Sequence, residues 1–189
     1  MAERLAPEVR RLRILETAMD YIAEEGYRGL TLRGLARRCG MSAPGLMHYF
    51  ADMPTLLMAV LDHRDAKDQA AVAEQVEADR PTLASMREVA DRIVDRMASN
   101  PQGARLFAMV QAESLDPKHP AHHYFLERGH RAASEFAARM GPDVPDAKAR
   151  ALRFMAILDG LQLSWLRDPD GFDIRAHWAA IAPGLFADA

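Results

Sequence analysis

Ser42, His48 and Tyr49 stand close together in the stretch CGMSAPGLMHYF, residues 39–50, and Thr31 and Arg33 lie just upstream. Hydroxyls, an imidazole, a phenol and a guanidinium are groups that hydrogen-bond to phosphate oxygens and to base edges. Residues 31–50 hold three arginines and no acidic residue, so this segment is locally positive in a chain whose net charge is −3. Its small residues belong to the same chemistry. Ser42, Ala43 and Gly45 keep the leading edge of a helix thin, so its backbone can approach a surface closely. Pro44 is tolerated there because amides in the first turn have no partner within the helix. On that helix Leu46 and Phe50 are expected to face a core, leaving His48 and Tyr49 to reach outward. The competing reading is a solvated helix face carrying a few arginines.

Other chemistry is weakly supported. The stretch DPKHPAHHYFLERGH gathers His119, His122, His123 and His130. On a helix His123, Glu127 and His130 fall at i, i+4 and i+7, a spacing that zinc can use. No cysteine or further acidic ligand converges with them in sequence, and solvated histidines near a helix start are commoner, so no metal and no cofactor are expected. Cys39 is the only cysteine, which excludes an internal disulfide or a multi-cysteine zinc site and reads as a small apolar packing residue. The sequence has no phosphate loop, no Gly-x-Ser-x-Gly and no dinucleotide fingerprint. The expectation is a protein that is not an enzyme.

The elements that must position these groups read as helices. A chain of 189 residues, 49% hydrophobic and 27% charged, has the composition of a globular protein with one sizeable core, or of a small domain followed by a larger one. Its charge is uneven: residues 1–50 carry eight Arg against six acidic residues, and the rest is net acidic. Over residues 7–25 the apolar Ile14, Leu15, Ala18, Met19 and Ile22 recur at steps of three and four, one buried stripe that Gly26 ends. Thr31 caps a short helix over 31–39, in which Leu32, Leu35, Ala36 and Cys39 share a face. Ser42 caps the next over 43–49, and Asp52 a fourth that runs on toward residue 80. Helices are then predicted at about 82–99, 101–115, 120–140, 145–167 and 173–186, punctuated by NPQG, DPKHP, GPDVP and DPDG. The segment MAERLAPEVRRLR carries charges where a secretory leader needs an apolar run, and no apolar run approaches the roughly 20 residues that span a bilayer. The expected location is cytoplasmic, with no membrane partner.

Two short helices joined by a tight turn at Gly40 and Met41 have the proportions of a helix-turn-helix. The string RILETAMDYIAEEGYRGLTLRGLARRCGMSAPGLMHYFADMPTLLMAVL, residues 13–61, resembles the N-terminal domain of the TetR family of bacterial transcriptional regulators. The resemblance is carried by the Gly26-Tyr27 pair, the Thr31 cap, LARRCGMS, the Gly45-Leu46 pair and Phe50. It is supported by ALRFMAILDGLQLSWLRDP, which is similar to the penultimate helix of such regulators. It implies an all-α fold of about nine helices, with a three-helix head over 1–51 whose motif occupies 31–50, a connecting helix over 52–80, and a ligand-binding and dimerisation domain over 81–189. It also implies that Thr31, Arg33, Ser42, Ala43, Pro44, Gly45, Met47, His48 and Tyr49 meet DNA. Two positions depart from the family pattern: Met47 stands where a Tyr is usual and Met53 where a Lys is usual, both phosphate contacts. Binding is then expected to be weaker, or to rely more on Arg33, Arg10, Arg11 and Arg13; an alternative is a helical small-molecule-binding protein whose head has lost DNA.

A single head reads only a few base pairs, so two heads about 34–36 Å apart on a palindromic operator are expected, which requires a homodimer. The predicted helices 145–167 and 173–186 are apolar on more than one face, and the resemblance implies that they pair with their symmetry mates. The candidate interface is Phe154, Leu158, Leu161, Trp165, Trp178, Ile181 and Leu185, though the same pattern suits a central core. For a small hydrophobic effector the candidates are Met86, Met97, Phe107, Met109, Gln111, Tyr124, Phe125, Asp159 and Gln162: apolar walls with a few polar anchors, or else ordinary core. The resulting expectation is a repressor released by that effector, with the fourth helix, shared by head and body, carrying the coupling.

Overall fold

The computed structural model describes residues 6–73 and 81–187. Among them the chain forms nine α-helices and no strand: α1 Pro7–Gly29, α2 Leu32–Arg38, α3 Ala43–Met47, α4 Met53–Ala73, α5 Leu83–Ser99, α6 Pro101–Glu113, α7 His122–Met140, α8 Ala147–Arg167 and α9 Ile174–Leu185. The all-α fold anticipated from the hydrophobic periodicity is the one observed. The expected run of the fourth helix through residues 74–80 lies outside the described residues. The chain divides into two compact units: the first comprises the chain up to Lys67 together with Arg105–His123, and the second comprises Asp68–Ala104 with the chain from Tyr124 onward. Most of α6 and the turns after it thus belong with the head, a grouping that sequence periodicity does not disclose.

In the first unit the helix ends follow from local chemistry. The Thr31 hydroxyl accepts a hydrogen bond from the Gly34 amide at 3.1 Å, Ser42 Oγ from Gly45 at 3.2 Å, and Asp52 Oδ1 from Thr55 at 2.7 Å, each satisfying an amide that the helix leaves unpaired. Gly26, at φ 74° and ψ 167°, interrupts α1 in a region of backbone space open essentially to glycine alone. A Cβ there would stand 2.9 Å from Glu113 Oε1 and 3.3 Å from Met109 Cε, so the bare backbone also admits the α6 side chains. Gly34 serves a close approach of a different kind: a Cβ would meet the Tyr21 hydroxyl at 2.5 Å, which brings α2 hard against α1. The core joins Ile14, Leu15, Ala18 and Ile22 of α1 to Leu35 and Ala36 of α2, Leu46 of α3, Phe50, and Leu56, Leu57, Val60 and Leu61 of α4.

Residues 114–121 form turns, so α6 ends two residues earlier and α7 begins two later than the periodicity predicts. Pro117 and Pro120 supply no amide donor, and side chains close the turns: Ser114 Oγ donates to the Gln111 carbonyl at 2.7 Å, and the Ala121 amide donates to His119 Nδ1 at 3.2 Å.

The second unit is built around Met86, Val89, Ala90 and Val94 of α5, Phe154, Leu161 and Trp165 of α8, and Ile174, Trp178 and Ala182 of α9. Phe154 stands edge-on to Phe136, Trp178 and Phe186, with ring centroids 5.2, 5.7 and 6.0 Å away. The Trp178 indole donates to Asp91 Oδ1 at 2.6 Å, which gives the one polar atom of this ring a partner on α5. Gln162, 3% exposed, donates from Nε2 to the Ala104 carbonyl at 2.7 Å. Arg175 ties α9 to the end of α5 through Asp95 at 2.7 Å and Ser99 at 3.2 Å.

Replacing Trp178 by Ala is expected to cost about 3–5 kcal/mol in urea denaturation, and by Phe markedly less, because the ring packing persists while Asp91 keeps Arg87. A second expectation concerns pH. Burial holds His63 and His119 of the first unit below the ordinary histidine value of 6.5, so the native state resists their protonation. Stability is therefore complete above about pH 6.5 and declines as pH falls below it toward the folded-state values. Urea midpoints at pH 7.5 and 5.5 should diverge for the natural chain and converge for the His63→Gln, His119→Gln double variant.

Candidate nucleic-acid interface

The groups singled out between residues 31 and 50 come out on the surface of the first unit. Thr31, Arg33, Ser42, Pro44, Met47 and His48 are exposed, and Ala43, Gly45 and Tyr49 are half-buried. Leu46 of α3 and Phe50, three residues beyond its end, are buried at 0% and 1%. The His48 and Tyr49 rings meet edge to face with centroids 5.7 Å apart and an interplanar angle of 86°, so each limits the rotation of the other. Thr31 and Ser42 use their oxygens as acceptors in helix caps, which leaves each hydroxyl proton free to donate outward.

The arginines divide into two classes that composition cannot distinguish. Arg38 stacks over the Tyr21 ring at 3.9 Å and pairs with Glu24 at 2.6 Å, and Arg11 lies 5.0 Å over the Phe50 ring. Arg38 is thereby neutralised and fixes α2 to α1, a role sequence reading missed; Glu24 and Tyr21, three apart on α1 and facing α2, were the available signal. Arg33, Arg37 and Arg13 are exposed and make no ion pair among the described residues. Their charge is available to phosphate. Asp52, held below the ordinary carboxylate range by its hydrogen bonds to Thr55, stays ionised at the start of α4. Cys39 is half-buried, and burial pushes its thiol up, which suits packing rather than thiolate chemistry.

The candidate effector residues are distributed over both units. Phe107, 7% exposed beneath Arg64 at 4.2 Å, Met109 beside Gly26, and half-buried Gln111 belong to the first. In the second, Met86 is wholly buried core and Met97 packs against that core; Tyr124 and Phe125 stand edge to face at 5.2 Å, Asp159 is half-buried and Gln162 is bonded to Ala104. A cleft of about 330 Å³ in the second unit is lined instead by Thr82, Leu83, Ala84, Arg87, Pro183 and Phe186. Among the described residues no three His, Cys, Asp or Glu side chains gather where a metal ion would sit.

The seven candidate interface residues differ in what they leave for a second chain. Phe154, Leu161, Trp165 and Trp178 lie in the core of the second unit, at 0–8% exposure, so their area is already buried there. Leu158 and Leu185 are half-buried against the same core, and Ile181 is exposed at 37%. The outward apolar surface of α8 is carried by Leu152 and Leu163, at 52% and 43%, positions that the two-faced pattern did not separate from the core face.

Comparison with known proteins agrees with this geometry. Residues 14–60 match the family model described as bacterial regulatory proteins, tetR family. Over 165 residues the chain is 31% identical to the HTH-type transcriptional regulator BetI of Burkholderia cenocepacia strain HI2424, spanning 85% of this chain and 82% of that one. A transcriptional regulator from Rhodococcus sp. RHA1 shares the fold with a TM-score of 0.78 at 20% identity, over 93% of this chain and 95% of its own. The fold is also that of AibR, solved in complex with isovaleryl coenzyme A and operator DNA, with a TM-score of 0.72 at 19% identity over 94% and 98% of the two chains. With relatives that are transcriptional regulators rather than enzymes, and with a cap-defined helix-turn-helix on its surface, the chain belongs to the TetR family of DNA-binding bacterial regulators.

Proposed function

We propose that this regulator binds a palindromic operator as a homodimer in the cytoplasm, represses the adjacent genes, and is released by a small hydrophobic effector. The observation that supports the DNA-reading part is the exposure of Thr31, Arg33, Ser42, Pro44, Met47 and His48, with Tyr49 half-buried, around buried Leu46 and Phe50. A helix seated on the core by one face offers the opposite face to a major groove. Unpaired Arg33, Arg37 and Arg13 supply the phosphate contacts that give affinity without sequence information.

The dimer contact is assigned to the outward stripe of α8, Leu152, Ala156 and Leu163, with Ala180, Ile181 and Gly184 of α9, all exposed in the protomer. Small residues among them permit close helix approach. For the effector, Met97, Tyr124, Phe125 and Asp159 of the second unit are assigned as apolar contacts and a polar anchor by residue type alone, and AibR's complex with isovaleryl coenzyme A and operator DNA is a precedent for this fold holding both kinds of partner. The alternative, a head that no longer binds DNA, is motivated by Met47, 49% exposed where the family pattern has a Tyr.

An electrophoretic shift on the gene's own upstream region separates the two readings, since a head without DNA binding shifts no duplex at any salt. Arg33→Ala should weaken the operator complex and reduce the slope of log affinity against log salt by about one, whereas Arg38→Gln should leave that slope unchanged because its charge is already paired. Leu152→Glu with Leu163→Glu should give monomers in analytical ultracentrifugation and lose operator binding; a dimer surviving these changes would refute the assigned contact. A thermal-shift screen with apolar acids and acyl thioesters should find ligands that raise the melting temperature and lower operator affinity at fixed salt. An affinity unchanged at saturation would remove the switch and leave a DNA binder.

A further inference from the structure

We infer that Met47 reads the 5-methyl group of thymine, so that part of this regulator's operator specificity is apolar. The inference rests on the reading of α3 as the groove-entering helix and adds what that helix selects. On α3, Leu46 and the following Phe50 are buried at 0% and 1%. Pro44, Met47 and His48 stand at i, i+3 and i+4, share the opposite face and are all exposed. The α3 segment carries no cation and no carboxylate, and its flanking positions Ala43 and Gly45 add no polar side chain. The outward face is therefore one imidazole beside two apolar groups, the larger of which, Met47, is 49% exposed.

An apolar side chain cannot replace the water around a phosphate or pair with a carbonyl or amino edge. Burying Met47 against either would leave the nucleic-acid group unsatisfied. The major groove presents one apolar feature, the thymine methyl, and methionine, unbranched and polarisable, adapts its shape to such a target. Charge supports this division of labour. In the head, α1 and α2 carry exposed arginines with no ion pair among the described residues, Arg11, Arg13, Arg28, Arg33 and Arg37, whereas α3 carries none, so phosphate contacts fall to those helices.

The full-length protein is used to select its operator from fragmented genomic DNA, and each thymine of the recovered half-site is then exchanged singly for deoxyuridine, which pairs identically but lacks the methyl. At one or two positions per half-site the exchange should weaken binding about fourfold, the worth of one buried methyl group. Met47→Ala should bind thymine and deoxyuridine duplexes equally, Met47→Leu should retain the discrimination, and the salt slope should be the same in all three proteins. Indifference of the natural protein to every exchange would overturn the inference while leaving the DNA-binding reading intact, as would discrimination that persists in Met47→Ala. Recovery of no sequence-specific duplex would overturn both.

Discussion

Burial of Leu46 and Phe50 in the core of the head is the constraint on which the functional surface depends. Both side chains are essentially inaccessible, and a five-residue helix seated by two such anchors has no freedom to rotate. Their burial decides, position by position, that Pro44, Met47 and His48 point outward. The core of the head is assembled from helices of different parts of the chain: α1 contributes buried Ile14 and Ala18, α2 Leu35, and α4 Leu56, Leu57 and Val60. Each must arrive at the right angle, and two glycines make this feasible, Gly26 by ending the straight run of α1 and Gly34 by admitting the Tyr21 hydroxyl. Both reduce local propensity, since glycine costs roughly 1 kcal/mol in a helix interior. The gain is a close α1–α2 contact that larger residues would prevent.

Electrostatics in the head follow from the same packing. Once α2 is held against α1, Arg38 falls over Tyr21 and beside Glu24 and becomes part of the scaffold. Arg37, one residue earlier on α2, is turned by a hundred degrees and remains exposed. A positively charged segment is thus divided by helical geometry into arginines that brace the head and arginines that can attract phosphate. The overall charge of −3 is no obstacle, because attraction to DNA depends on the local potential of the docking face.

In the second unit a wide apolar helix meets neighbours on one side and presents a narrower apolar stripe on the other. Phe136, Phe154, Trp178 and Phe186 form a cluster of edge-to-face rings, and Asp91 and Ala104 accept hydrogen bonds from the Trp178 indole and Gln162. Satisfying those two donors lets polar groups be buried without the penalty of an unpaired donor. Leu152, Leu163 and Ile181 stay outside that core, at 52%, 43% and 37% exposure.

Much of this was legible before any coordinates. The helical class, the caps at Thr31, Ser42 and Asp52, the break at Gly26 and the inward sense of Leu46 and Phe50 follow from local rules: hydrogen-bond needs of helix ends, glycine's backbone freedom, and a period of 3.6 residues. Such rules act over a few residues, and a sequence states them directly. Three matters were decided only by tertiary structure, because each depends on residues distant in the chain. Periodicity cannot tell which face of a doubly apolar helix meets its own core, so Phe154 and Trp178 are separated from Leu152 and Leu163 only when α5, α8 and α9 are packed. Composition cannot tell a paired arginine from a free one, and Arg38 acquires its partners Tyr21 and Glu24 across more than a dozen residues. Nor does any local signal place Glu113 and Met109 against the bare backbone of Gly26; that contact exists because the fold brings α6 back to the head.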